Sequence, residues 1–483
     1  MAQRQLRIVI VGAGLSGIMA AIKLHQQGYQ DVVLYEKADR LGGTWRDNSY
    51  PGVACDIPSH FYSYSFAPNP DWSRQYSPGA EILAYVERVA ALHGIDRHIR
   101  FAEEVTRCAF SDGRWQLSTS RQRSDVADVL IVATGVTHHL NIPQLAGLSS
   151  FAGASFHSAR WDHQVAVDGR RVGVIGTGSS AVQLVSALVD RVAKLSLFQR
   201  TAQWIMPQEN AVFSDEDKQT FRRDPAVMAK MRAGIARRFI ERFSDAVVDR
   251  SSKQLQVIED SCRENLETQV QDPALRERLR PSYRVACKRL VVSPDFYQAI
   301  QKPSAQLVTE AIERVEPEGV RTRDGQLHAL DVLVLATGFR TDRFMRPMKV
   351  IGPSARALDE VWEKRPSAYL TVAVPGFPNL FMLNGPNGPV GNFPLIEVAE
   401  LQMNYIVQLI DVLRDGCRAL SPSETATEAF ETARVAAAQN TVWTTGCASW
   451  YLDDRGVPAT WPWTIAEFYA ALAKPDLSAY ELG

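Results

Sequence analysis

The sequence predicts an α/β protein: two Rossmann-like dinucleotide-binding domains, the second inserted in the first and carrying a helical subdomain. Three observations predict it. A glycine-rich turn follows an apolar run twice, as Gly12-Ala13-Gly14-Leu15-Ser16-Gly17 after Leu6 to Val11, and as Gly176-Thr177-Gly178-Ser179-Ser180-Ala181 after Arg171 to Ile175. A helical pattern follows each turn. A buried run ending in Ala-Thr-Gly also occurs twice, at Val129 to Gly135 and Val332 to Gly338, so the chain returns to the first unit after completing the second.

The elements follow in order. The first unit, residues 1–140, has its fingerprint strand, a helix from Gly17 to Gln27, a strand Val32 to Tyr35, a long loop Leu41 to Pro70 and a helix around Glu81 to His93. Residues 141–213 and 286–328 read as the second nucleotide unit. Residues 214–285 are charge-rich and glycine-poor, and Met228, Met231, Ile235, Phe239 and Phe243 recur at threes and fours. That is the stripe of a helical subdomain packed against the nucleotide unit, a core stripe rather than a cofactor box. Residues 329–483 return to the first unit with a strand and turn through Phe377 to Asn387, a helix Leu395 to Leu413 and a tryptophan-rich tail.

The two fingerprints differ where they choose a ligand. Gly12 and Gly176 permit the tight turn, Gly14 and Gly178 let backbone approach a pyrophosphate, and Gly17 and Ala181 allow close helix packing. The helix N-terminus, opened by Ser179 and Ser180 in the second unit, presents N–H groups to the phosphates. Twenty-four residues beyond each leading glycine stand Glu36 and Arg200. A carboxylate accepts from free ribose hydroxyls, whereas a guanidinium meets a 2′-phosphate. The expected cofactors are therefore FAD in the first unit and NADPH in the second.

Composition narrows the class. The chain has 483 residues, 46% hydrophobic and 22% charged, with net charge −1. This is an ordinary globular balance that argues against nucleic-acid or anionic-membrane partners. The amino-terminal apolar stretch runs straight into the fingerprint, so it reads as a buried strand rather than a signal peptide, and no apolar run approaches membrane-spanning length. Six cysteines without a C-x-x-C suit free thiols in a reducing cytoplasm and count against a dithiol flavoreductase. A cytoplasmic location is expected, with no metal site; the oligomeric state stays open.

Between the fingerprints lies Phe151-Ala-Gly153-Ala-Ser-Phe-His157-Ser-Ala-Arg-Trp161-Asp162. This segment resembles the signature of the Baeyer–Villiger monooxygenases, a class B flavoprotein family. Gly42-Gly43-Thr44-Trp45, Tyr50 to Asp56, Cys287-Lys288-Arg289 and Cys447 to Tyr451 resemble that family too, in order along nearly the whole chain. The resemblance implies that NADPH reduces FAD, that O2 adds to give a flavin C4a-peroxide, and that this anion attacks a ketone to leave an ester or lactone. It implies Arg289 as the catalytic arginine and Asp56 as its partner carboxylate. It places Thr44, Trp45, Tyr62, Val105 and Asn387 at the flavin, Gln183, Thr201 and Lys288 at the nicotinamide dinucleotide, and Trp450 near the nicotinamide ribose. His157 and Trp161 would couple nucleotide-domain movement to the active site rather than do chemistry. The tail, Trp-Tyr-Leu-Asp-Asp-Arg-Gly, departs from the family's usual Gly-Ala-Asn run, so a cyclic-ketone substrate does not follow; Pro58 to Phe66 looks more like members acting on open-chain or aryl ketones. Two other readings stay open: an N- or S-oxygenating flavin monooxygenase, and a non-catalytic NADPH-binding sensor.

Overall fold

Two five-stranded parallel sheets organise the computed structural model, which describes residues 4–483. The first runs Leu380–Met382, Val129–Val132, Ile8–Val11, Val32–Tyr35, Ile99–Arg100. Ile8 pairs with both Val32 and Val129, and every residue of Ile8–Val11 is buried. Burial on both faces explains why this strand reads as an unbroken apolar run without alternation. The helix Leu15–Gln26 covers one face and shares its core with Leu395–Arg414 through Ile18, Ile22, Met403, Ile406 and Ile410.

The second sheet runs Ala305–Val308, Lys194–Phe198, Arg171–Ile175, Val332–Leu335, Ala154–His157. Its strands lie in the chain between Val129–Val132 and Leu380–Met382, so the second unit is an insertion in the first. One boundary needs correction. Val332–Leu335 was expected to open the returning first unit, but it pairs with Ala154–His157 and Arg171–Ile175. An apolar strand fits either sheet by composition, and only register decides which one receives it.

The helical subdomain comprises Asp215–Arg223, Pro225–Phe239, Lys253–Gln269 and Pro273–Leu279, with a π-helical segment at Ile240–Ser244. Ser214 closes a capping box with Asp217, and Asp224 caps the next helix ahead of Pro225. Of the expected stripe, Met228 is buried, while Ile235 and Phe239 reach the first unit's core; the rings of Phe239 and Phe61 lie 6.1 Å apart. This stripe is therefore divided: Ile235 and Phe239 pack on the first unit, while Phe243 packs with Trp204, Leu255 and Val285.

A second correction concerns the cysteines. Cys287 and Cys447, 160 positions apart in the chain, form a disulfide with their Cα atoms 6.1 Å apart. Scattered spacing suggested free thiols, but spacing along the chain says nothing about pairs that the fold brings together. Cys55, Cys108, Cys262 and Cys417 are free. Among the described residues no helix is long and apolar enough to cross a membrane.

Candidate active site

The first fingerprint builds a cleft at the carboxyl ends of its strands, lined among others by Gly14, Glu36, Trp45, Tyr62, Val105 and Asn384. Gly12 has φ +107°, and a Cβ there would lie 2.6 Å from the Ala133 carbonyl oxygen; at Gly17 it would lie 1.9 Å from that of Gly12. Both positions require glycine. Glu36 is buried, and its carboxylate accepts from the backbone N–H groups of Ala13 at 2.9 Å and Ala38 at 3.0 Å and from Arg46 at 3.1 Å. Trp45 Nε1 donates to the Tyr62 hydroxyl at 3.2 Å, and Thr44 meets Thr137 at 3.3 Å. The helix Leu395–Arg414 begins at the cleft.

These residues fit FAD. Glu36 stands where a ribose diol needs acceptors, Gly14 leaves the helix N-terminus open, and the Asn384 side-chain oxygen is buried without a partner beside the cleft. The Asn387 side-chain oxygen, in the following turn, is likewise buried and unpaired.

The second fingerprint repeats the backbone. Gly176 has φ +121°, and a Cβ there would lie 2.2 Å from the Ala336 carbonyl oxygen; Gly178 has open space around it. Ala181 is fully buried at the position of Gly17. Thr177 donates to the Thr201 carbonyl at 2.8 Å, fixing the turn against the end of Lys194–Phe198. Arg200 is exposed. Burial, and then the charge on Arg200, lower the Lys288 ammonium below its usual 10.5. Two cations that repel each other are a fit for a dianionic phosphate between them. Gln183 is committed elsewhere: it accepts from Tyr50 at 2.8 Å and donates to the Ala54 carbonyl at 3.0 Å, tying the two units together.

Arg289 and Asp56, 233 residues apart, meet at 2.5 Å. Arg289 Nη1 also donates to the Gly391 carbonyl at 3.0 Å. Burial opposes the guanidinium charge most strongly, but Asp56 and Tyr451 together hold the pKa above the ordinary arginine value. Tyr62, on the cleft wall, has its pKa raised by burial first; it also feels the charges of Asp56 and Arg289. The ion pair thus lies close enough to the cleft wall for Tyr62 to feel both of its charges. Trp450 is 43% exposed, with its ring 4.1 Å from that of Tyr451.

The signature segment is a structural joint. His157 Nε2 donates to the Gly338 carbonyl at 3.1 Å, and Nδ1 accepts from Ala159 N–H at 3.1 Å. Burial lowers its pKa, so the ring is neutral and both nitrogens are occupied, which leaves it no general-base role. Trp161 is buried edge-on to Phe156 at 5.0 Å. A Cβ on Gly153 would lie 2.3 Å from the Asp331 carbonyl oxygen and close to the Phe151 ring. Asp162 accepts from Gln164 N–H and closes a turn. His163 meets Ser49 at 2.8 Å and Arg160 approaches Asp47 at 3.8 Å, so the segment grips the loop that follows Trp45.

Residues 5–346 match the family model of flavin-binding monooxygenase-like proteins. The chain belongs to this family, among its Baeyer–Villiger monooxygenases. It is 47% identical to an uncharacterized monooxygenase of Mycobacterium bovis, over 98% of this chain and 96% of the relative. It is 38% identical to a Baeyer–Villiger monooxygenase of Streptomyces coelicolor, over 99% and 92%. The fold matches a Rhodococcus cyclohexanone monooxygenase bound to NADP+, with a TM-score of 0.87 at 29% identity over 99% of both chains. The chain is an NADPH-dependent flavoprotein monooxygenase whose cofactors are FAD and NADPH.

Two features escaped sequence reasoning. The Cys287–Cys447 disulfide had a signal, since both cysteines lie in segments already singled out. The place of Tyr451 against Gly391 had none, because nothing local in either segment points to the other.

Proposed function

We propose that this monooxygenase inserts one oxygen atom from O2 beside a ketone carbonyl, giving an ester or lactone. The observation that carries this reading is the Arg289–Asp56 pair, whose charges reach Tyr62 on the wall of the flavin cleft. Bound FAD, once reduced by NADPH, supplies activated oxygen.

The chain's own residues do the rest. Glu36 and the Gly12–Gly17 turn hold the flavin nucleotide, and Arg200 and Lys288 hold the 2′-phosphate of NADPH. Attack on a ketone places negative charge on oxygen, and an oriented guanidinium stabilises that charge as it develops. Arginine stays charged where desolvation would neutralise lysine. Asp56 supplies the counter-charge of this half-buried cation and, with the Gly391 carbonyl, fixes its direction. Oxygen transfer to nitrogen or sulfur develops no such oxyanion on the substrate and has no need of this pair.

Product analysis over a panel of open-chain, aryl and cyclic ketones, with hydrogen peroxide release measured in parallel, tests the reading. Arg289→Ala is expected to retain FAD and be reduced by NADPH, yet lose about a hundred- to a thousandfold in ester formation. Ester formation near the wild-type rate would remove Arg289 from the reaction. Retained oxidation of amines or sulfides alongside failure with ketones would instead favour the electrophilic reading.

A further inference from the structure

Tyr451 closes the segment Cys447 to Tyr451, just before the tail departs from the family pattern, and the structure brings it to the guanidinium of Arg289. The phenol is 3% exposed. Its oxygen fills the space beside Gly391: a Cβ there would lie 2.0 Å from the Tyr451 hydroxyl and 2.8 Å from its ring. Gly391 also has φ +90°, and its carbonyl is the acceptor for Arg289 Nη1. Phenol, peptide carbonyl and guanidinium therefore converge on one residue.

The chain around Tyr451 is built to keep it there. Its ring lies 5.3 Å from Trp443 and 4.1 Å from Trp450. Its carbonyl accepts from Ala459 N–H at 2.7 Å, and the buried Arg434, gripped by Glu431, donates to the Pro458 carbonyl. Thr460 donates to the Gly388 carbonyl at 2.9 Å, which returns the tail to the turn carrying Gly391. The Cys287–Cys447 disulfide ties the segment leading into Tyr451 to the residue two positions before Arg289.

We infer that Tyr451 is a positioning residue for Arg289: its hydroxyl oxygen accepts a hydrogen bond from the guanidinium and, with Asp56 and the Gly391 carbonyl, completes a three-sided cradle that aims the cation at the reacting oxygen. A guanidinium has five donors and no acceptor, so each acceptor around it removes freedom without competing for charge. Asp56 at one corner leaves rotation about the ion pair free, and acceptors on a second and third side remove it. Burial raises the phenol's pKa, while the Arg289 charge and hydrogen bond pull it back, so the group stays a neutral phenol at working pH. This inference rests on the proposed reaction for its consequence but not for its geometry.

The test is Tyr451→Phe, which keeps the ring and removes only the oxygen. Crystal structures of the FAD-loaded wild type and variant would read the guanidinium directly. The expected result is a guanidinium that keeps Asp56 but turns away from the Gly391 carbonyl, beyond hydrogen-bond distance. In parallel, the rate of flavin reduction by NADPH and the melting temperature should match wild type, while ester formed per NADPH consumed falls about tenfold, with the balance appearing as hydrogen peroxide. An unmoved guanidinium overturns the inference, as does unchanged coupling, and so does a loss confined to melting temperature or NADPH affinity. A wild-type enzyme that makes no ester from any ketone would instead overturn the proposed reaction, leaving the crystallographic comparison to judge Tyr451 by itself.

Discussion

The two nucleotide sites share a backbone and differ in how finished they are. At both, the leading glycine has a positive φ and sits against the carbonyl of the neighbouring Ala-Thr-Gly strand, at 2.6 Å for a Cβ on Gly12 and 2.2 Å for one on Gly176. The first site's selector, Glu36, is buried and already held by two backbone N–H groups and Arg46. The second site's selectors, Arg200 and Lys288, face each other as like charges. Preorganised acceptors suit a resident cofactor. Unpaired cations suit one that must be captured and released, because its phosphate supplies the missing counter-charge only while bound.

The largest expected effect separates the sites outright. Gly12→Val forces a side chain into the Ala133 carbonyl and should yield protein without flavin or no soluble protein. Gly176→Val should purify yellow, yet show no measurable reduction by NADPH. Absorbance spectra of the purified variants, followed by anaerobic mixing with NADPH, check both. Flavin loss in both would show that the sites are not independent.

A smaller effect tests the selector. Arg200→Ala should raise the KM for NADPH about tenfold, the lower end for a charge-assisted bond to phosphate because this side chain is exposed, and change that for NADH little. Steady-state kinetics with both cofactors decide it; equal losses would remove the 2′-phosphate from Arg200.

The smallest effect is one of pH. Lys288 has a lowered pKa in the free site, and a bound phosphate raises it, so tight binding is fully present below the free-site pKa. That advantage is lost as pH rises through the bound-state pKa. The preference for NADPH over NADH should therefore shrink several-fold at alkaline pH in the wild type. Lys288→Arg, charged throughout, should hold it constant. Cofactor titrations across pH would show it, and an equal slope in both proteins would exclude Lys288.

Much of this molecule is legible locally. A strand, a tight turn and a helix N-terminus obey short-range rules, so Gly12, Gly176, Glu36 and Arg200 could be placed by counting. The features placed by counting depend on backbone sterics and on a regular rise per residue, which any chain of this pattern must satisfy, whereas the caps at Ser214 and Asp224 were seen only in the structure. The membership of Val332–Leu335 in the second sheet was decided by pairing, since an apolar strand is acceptable to either. The same holds for what converges on Arg289. Asp56 arrives from a loop, Gly391 from a turn and Tyr451 from the tail. Cys447 reaches Cys287 across 160 residues. No periodicity connects these segments, and the energy that brings them together comes from the cores of both units, not from the residues themselves. Local rules of strand, turn and helix were enough to locate two dinucleotide sites and to propose which ribose each takes. How the Arg289 guanidinium is held had to await the fold, because its orientation is the sum of contacts from three distant parts of the chain.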